Sequence, residues 1–285
     1  QTQQMMFKNL FILIIASVAS IHAKTPSALS LLSDPYHSKI DSDYYFGLKS
    51  GDSFKLVASD LTNQGTKYFP FKFESISSII SLNDRLIFAG DQGQGSDLYT
   101  FSPNSKIKQP QRINLINDGG GSTPQEMTIL GDFVFFSASD GKHRELYMLN
   151  TRNDSVSTVS SHLKIKVPKD PVHLTVVGKK LFFSGGEAME VKKGKKTKKV
   201  YQRRYYMLDT ENPHKIHGFA FFDKHTNQKH PVVDGSKLYF KIHEGPERYE
   251  ILCIDTDSAQ PKVEVIADGS EGFSDCLTII SNKMY

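Results

Sequence analysis

Eight basic residues fall within thirteen positions: Lys192, Lys193, Lys195, Lys196, Lys198, Lys199, Arg203 and Arg204. Charge at this density can neutralise the repeated anionic groups of a sulfated glycan, a nucleic acid or a lipid surface, in an interaction that added salt weakens. Two other readings fit the same residues: a dibasic processing site at Arg203-Arg204 on an exposed loop, and a solvated loop with no specific ligand. A second stretch with chemistry is Asn153-Asp154-Ser155, an N-glycosylation sequon. It carries glycan if the chain passes through a eukaryotic secretory route and is otherwise a turn asparagine. Cys253 and Cys276 are the only cysteines. An even count permits a disulfide in an oxidising compartment, while the apolar surroundings of Cys253 equally fit a buried free thiol.

Two fainter patterns are present as well. Ser78, Glu126, His173, His230 and Cys276 recur at one position of a repeat described below, and Glu, His and Cys are metal-ligand types. Variable polar residues at a loop edge explain the same set. Asp268, Ser270, Glu271 and Asp275 offer oxygens for Ca²⁺, but their spacing fits no established loop. No G-x-S-x-G, H-E-x-x-H, phosphate loop or dinucleotide fingerprint occurs. No catalytic residue is therefore assigned, and neither a metal nor a cofactor is expected.

The elements that must position these residues show most clearly in residues 124–160, PQEMTILGDFVFFSASDGKHRELYMLNTRNDSVSTVS. MTIL, FVFFSAS, ELYMLN and SVSTVS are strand-like runs, rich in β-branched and aromatic residues. Gly131-Asp132, Asp140-Gly141 and Arg152-Asn153-Asp154 are turns, with Gly supplying positive φ. Connections this short make the strands antiparallel neighbours, a four-stranded meander. The second run is apolar on both parities: Phe133 and Phe135 on one, Val134, Phe136 and Ala138 on the other. Such a strand needs cover on both faces, which stacked copies of the sheet provide. That is the logic of a β-propeller blade.

The unit repeats. Phe46, Phe88, Phe136, Phe183 and Phe240 end the second-strand core at spacings of 42, 48, 47 and 57. Asp41, Asn83, Gly131, Gly178 and Gly235 stand five residues before them as turn residues. Third strands follow as FKLVASD, DLYTFSP, ELYMLNT, YYMLDT and ILCIDT, and NDGGGSTP at 117–124 matches ADGSEGFSD at 267–275. The expected fold is all-β: a β-propeller of four-stranded antiparallel blades, with blades near 34–74, 75–122, 123–170, 171–229 and 230–274 and a sixth begun at 275–285. The long fourth repeat holds the basic stretch as a flexible loop between its second and third strands. Lengthening such a loop costs only about 1 kcal/mol, against about 2–3 kcal/mol from burying one aromatic anchor.

At FFSASDGKHRELYMLNT the unit resembles the ELW-x-x-DGT repeat family, whose repeats join an apolar FFSA strand, an Asp-Gly turn, Glu-Leu-Trp and an Asp-Gly-Thr turn. Asp118 to Pro124 is similar to the family's linker into the next unit. Tyr147 stands where the family has Trp, and Asn150-Thr151 replaces Asp-Gly-Thr. The resemblance implies a propeller-like extracellular repeat and no catalytic residues.

Met5 to Lys8 is followed by LFILIIASVAS, an apolar run of signal-peptide length ending in small residues, with a cut expected after Ala23. It is shorter than the roughly 20 residues of a membrane span, although an uncleaved anchor is the competing reading. The chain stops at SNKMY, one residue before the next anchor is due. Either further blades follow, or residues 276–285 return to complete blade 1. With a net charge of +4, the expectation is a secreted or cell-surface module that binds protein or anionic glycan without catalysis. It is expected to have no specific nucleic-acid partner and no membrane span after the signal peptide. The alternatives are a hydrolase or lyase with a site in a propeller's central channel, and a structural matrix or coat repeat.

Overall fold

The computed structural model describes residues 37–60, 65–113, 120–193, 196–213, 215–222, 231–243, 249–258, 261–269, 279–280 and 283–284. Five four-stranded antiparallel sheets follow one another, each a meander in chain order. They are β1–β4 (His37–Ile40, Asp43–Ser50, Ser53–Ser59, Thr66–Tyr68), β5–β8 (Ser75–Leu82, Arg85–Asp91, Ser96–Phe101, Gln111–Arg112) and β9–β12 (Gln125–Leu130, Phe133–Ser139, Arg144–Asn150, Ser155–Thr158). β13–β16 (Lys169–Val177, Lys180–Lys193, Lys196–Asp209, Ile216–Phe222) and β17–β20 (Val232–Asp234, Lys237–His243, Tyr249–Asp255, Val263–Gly269) follow. β21 (Ile279–Ile280) and β22 (Lys283–Met284) form a further two-stranded ladder. The chain divides into two compact units, Gln1–Met127 with Ser139–Gly141, and Thr128–Ala138 with Lys142–Tyr285.

The second unit shows why the second strand is apolar on both parities. Successive residues of a strand point to opposite faces. On β14, Phe182 joins a core with Tyr205, Met207, Leu238, Phe240, Leu252 and Ile254 of its own and the following sheet. Phe183 joins the opposite core, with Phe135, Leu146, Met148 and Tyr206. Both phenylalanines are fully buried. The ring pairs Phe183–Tyr206 at 5.6 Å and Tyr205–Phe240 at 4.7 Å are stacked. In the first unit one core, including Tyr45, Leu56, Phe73, Leu86, Phe88 and Tyr99, joins its two sheets. There the buried ring of β2 is Tyr45, while the expected anchor Phe46 is only half-buried. The reason is that this core covers the Tyr45 face.

The turns explain the repeat's spacing. Ile40 pairs with Asp43, Leu82 with Arg85, Val177 with Lys180 and Asp234 with Lys237, leaving two-residue loops. Such loops match strand twist when their first residue has positive φ. Asp41 (53°), Asn83 (50°), Gly131 (62°), Gly178 (58°) and Gly235 (59°) all have it. The Asn/Asp-Thr pair ending the third strands has a role as well. Thr151 N, Thr210 N and Thr256 N donate to the carbonyls of Asp132, Lys179 and Ser236, at 3.0, 3.2 and 2.9 Å. Each bond ties the third strand's end to the loop between the first two. Asn150, Asp209 and Asp255 accept from the backbone N–H two residues on, at 3.0, 2.9 and 3.1 Å, closing an Asx turn.

One element was not expected. After β12 the chain makes a short helix, α1 (Val159–Leu163), capped by the Thr158 hydroxyl, which accepts from Ser161 N. Thr at this position satisfies a helix N–H that lacks an intrahelical partner. The helix turns Val159 into the core with Phe135 and Leu174.

Candidate functional site

The basic stretch is a β-hairpin rather than a flexible loop. β14 and β15 pair in unbroken register from Lys180↔Asp209 to Lys193↔Lys196. The sequence permits this because Val191, Thr197, Val200 and Tyr201 favour strands. Gly194 and Lys195 themselves lie outside the described residues. The pairing of β13 with β14 ends at Lys169↔Gly186, and that of β15 with β16 ends at Arg203↔Phe222. Among the described residues, 187–193 and 196–202 therefore pair only with each other, as a two-stranded ribbon continuing out of the blade.

The register divides the predicted cations. Lys192 stands opposite Thr197, Lys193 opposite Lys196, Lys198 opposite Val191 and Lys199 opposite Glu190. Lys199 is exposed. Arg203 and Arg204 belong to the base instead, in the centre of three strands, opposite Gly186 and Gly185 on one side and Phe222 and Phe221 on the other. Backbone held on both sides is the opposite of the loose segment that processing proteases cut.

The base is fastened to the first strand of its own blade. Tyr201 Oη donates to Asp170 Oδ2 at 2.7 Å, and Arg203 Nη2 donates to the Asp170 carbonyl at 2.9 Å. Arg203 Nη1 also reaches Ser184 Oγ at 3.4 Å. Asp170 takes a φ of 51° where β13 bulges between its pairings at Lys169 and Val172. Gly186 makes room for the tyrosine: a Cβ there would lie 1.9 Å from Tyr201 Oη. Burial, then the bond to Asp170, pushes the Tyr201 hydroxyl up to about 12, so it stays a donor at physiological pH. The neighbouring Tyr206 hydroxyl is pushed up as well, by burial first and by Glu187 second. Asp170, Gly186 and Tyr201 match no motif in the sequence. The signal available was Gly185-Gly186 inside a strand pattern, which marks a close approach.

Asn153 is exposed in the turn between β11 and β12. Its Oδ1 accepts from Ser155 N at 3.1 Å and Ser155 Oγ at 2.8 Å, so the sequon is folded as an Asx turn. Ser78, Glu126 and His173 do share a feature: φ of 49°, 58° and 58°. At Ser78 and His173 it coincides with a register shift, between Ser77 and Ile80 and between Val172 and Thr175. The recurring position thus marks bulges in the first strand. Ser78 and Glu126 belong to one unit and His173 to the other; His230 and Cys276 lie outside the described residues. No group of three or more His, Cys, Asp or Glu able to hold a metal occurs among the described residues. Asp268 is exposed, while Ser270, Glu271 and Asp275 lie outside the described residues. Cys253 is a buried thiol, its pKa raised chiefly by burial.

No protein-family model matches the chain, and no curated protein matches it. Solved structures do. A puromycin hydrolase aligns with a TM-score of 0.55 at 10% identity, over 82% of this chain and 37% of that one. A post-proline cleaving enzyme from Rickettsia typhi aligns with a TM-score of 0.54 at 12% identity, over 79% and 36%. The tricorn protease aligns with a TM-score of 0.51 at 11% identity, over 77% and 21%. The chain thus spans about a fifth to under two fifths of these proteins. At such identity the likeness shows the fold: the chain is a β-propeller of four-stranded blades.

Proposed function

We propose that this chain is a secreted or cell-surface binding module, not an enzyme, and that it captures polyanions on the hairpin formed by β14 and β15. One observation carries the reading: six lysines fall within eight positions, and the described ones stand on two strands that pair in register and are fastened at their base. Two paired strands lose less backbone freedom on binding than a loop would, and clustered charge of one sign raises the encounter rate with an opposite charge. The solved structures above are named as hydrolases, but they share only the fold, which hosts unrelated functions. Secretion rests on the leader-like residues 5–23, which lie outside the described residues. Among the described residues no helix is long and apolar enough to cross a membrane.

The test is titration with fluorescent heparin as a generic polyanion, at two salt concentrations. Replacing Lys192, Lys193, Lys195, Lys196, Lys198 and Lys199 with glutamine is expected to weaken binding about 20-fold or more at low salt. At about 0.3–0.6 kcal/mol per exposed charge pair, six pairs give a loss of this order. The melting temperature should hold, since these positions lie beyond the pairing of β14 with β13 and of β15 with β16. Equal binding by wild type and variant would refute the reading.

On the same reading Asn153 accepts an N-linked glycan, because it is exposed in a turn. After expression in a eukaryotic secretory host, endoglycosidase treatment is expected to lower the mass of the protein, and Asn153→Gln to abolish that shift. Secreted wild type of unglycosylated mass would refute the assignment.

A further inference from the structure

Asp170 precedes Pro171, and the peptide bond between them lies where β13 leaves its ladder. Lys169 pairs with Gly186 and Val172 with Ser184, so Asp170 and Pro171 form the bulge between them. Asp170 takes a φ of 51° there. A residue before proline is normally held to extended backbone, and a non-glycine residue in the left-handed region is strained. Two side chains of β15 converge on this residue. Arg203 Nη2 donates to the Asp170 main-chain carbonyl at 2.9 Å, and Tyr201 Oη donates to the Asp170 carboxylate at 2.7 Å. Asp170 is half-buried, not sealed from water. A carboxylate, the carbonyl carbon of its own residue and a cation on that carbonyl oxygen are thus held together at a strained bond.

We propose that the chain cleaves its own Asp170–Pro171 bond, with the Asp170 carboxylate as nucleophile and Arg203 as the oxyanion donor. This is independent of the polyanion reading. A carboxylate oxygen attacks the main-chain carbonyl carbon of the same residue, and no encounter is needed because both groups belong to Asp170. The carbonyl oxygen gains negative charge while it accepts from the Arg203 guanidinium, a cation already placed where that charge develops. The C–N bond breaks, its electron pair stays on the Pro171 nitrogen, and water gives that nitrogen a proton. Asp170 is left as a cyclic anhydride. The hydroxide formed from the water opens the anhydride, and the proton of the new acid passes to the amine. One water is consumed; the products are a C-terminal Asp170 carboxylate and an N-terminal Pro171 ammonium. The nicked blade stays assembled, because Ile165 and Val167 before the bond pack on the same core as Leu174 after it.

Asp34-Pro35 is a second bond of the same type in this chain and serves as the internal control. Purified protein is held in mildly acidic buffer, folded or unfolded in urea, and the fragments are followed by mass spectrometry. Folded protein is expected to cleave at Asp170–Pro171 about a hundredfold faster than unfolded protein, and to do so well ahead of Asp34–Pro35. In urea the two bonds should cleave at similar rates. Asp170→Ala should abolish the cut, and Arg203→Gln should slow it about a hundredfold, with melting temperatures measured alongside. Equal rates at the two bonds in folded protein would overturn the proposal. So would a rate at Asp170–Pro171 no higher in folded than in unfolded wild type, a comparison that needs no variant to fold. A full rate in folded Arg203→Gln would overturn the assignment of the oxyanion donor.

Discussion

Gly95→Ala is expected to destabilise the first unit by about 3–4 kcal/mol, far more than a surface Gly→Ala substitution usually does. Gly95 sits at a φ of 88°, and a Cβ there would lie 2.1 Å from the carbonyl oxygen of Gly120. Adopting such a φ costs a non-glycine residue about 1–2 kcal/mol, and overpacking adds about 1–3 kcal/mol. The clash is with backbone, so no rotamer relieves it. Relaxation would have to pull residues 120–123 away from β7, breaking the bond from Thr123 N to Ser96 O at 2.8 Å. Gly51→Ala is the control. Its φ of 64° is also positive, but nothing lies within 4 Å of the added carbon, so only the conformational term of about 1–2 kcal/mol applies. Gly121, at a φ of 80°, faces Gly95 from the other side, its Cβ 2.6 Å from the Gly95 carbonyl carbon. The double substitution should therefore cost less than the sum of the two, since both push the same two backbone segments apart. Urea denaturation followed by tyrosine fluorescence measures all four variants. A Gly95→Ala loss no larger than that of Gly51→Ala would mean that residues 120–121 do not dock on this turn.

The blade was legible because its signals are local and mutually consistent. Asp41, Asn83, Gly131, Gly178 and Gly235 were recognisable by residue type and spacing, and all adopt positive φ. The double apolar parity of Phe182 and Phe183 was legible because each faces a different core. Other features depend on partners that a sequence window does not contain. Lysines carry little strand preference, so the stretch from Lys192 to Lys199 reads as a loop until its register is seen to continue from the blade. Ser78 and His173 read as members of a polar ring, whereas their recurring position reflects backbone bulges. Tyr45 rather than Phe46 is the buried ring of β2 because packing against the next sheet, not residue type, selects the parity. Asp170 and Gly186 carry meaning only once Tyr201, distant from Asp170 in sequence, is placed between them.

Asp97→Ala is the second large effect, and it tests why an acid stands at the start of β7. Asp97 is 1% exposed. Its Oδ1 accepts from the backbone N–H and the hydroxyl of Ser122, at 3.0 and 2.9 Å, and its Oδ2 pairs with Arg112. One carboxylate thus joins the third and fourth strands of a blade to the segment that leads out of it. Removing it leaves the Ser122 N–H and hydroxyl without their acceptor and the Arg112 guanidinium without its counter-charge. A buried donor that loses its partner costs about 1–3 kcal/mol. Arg112 is 32% exposed, so water recovers part of its loss and the full penalty of a deeply buried pair does not apply. The expected total is about 3 kcal/mol, or about 12–24 °C in melting temperature for a unit with under 100 described residues. Asp97→Asn keeps an acceptor for Ser122 and loses only the charge, so it should cost less than half as much. Ser122→Ala removes the hydroxyl but not the backbone donor and should be milder still. In the double variant Asp97→Ala with Ser122→Ala, the serine substitution should add almost nothing, because its partner is already gone. Additive losses would show that Asp97 and Ser122 act separately, and that Asp97 is retained for its pair with Arg112 alone.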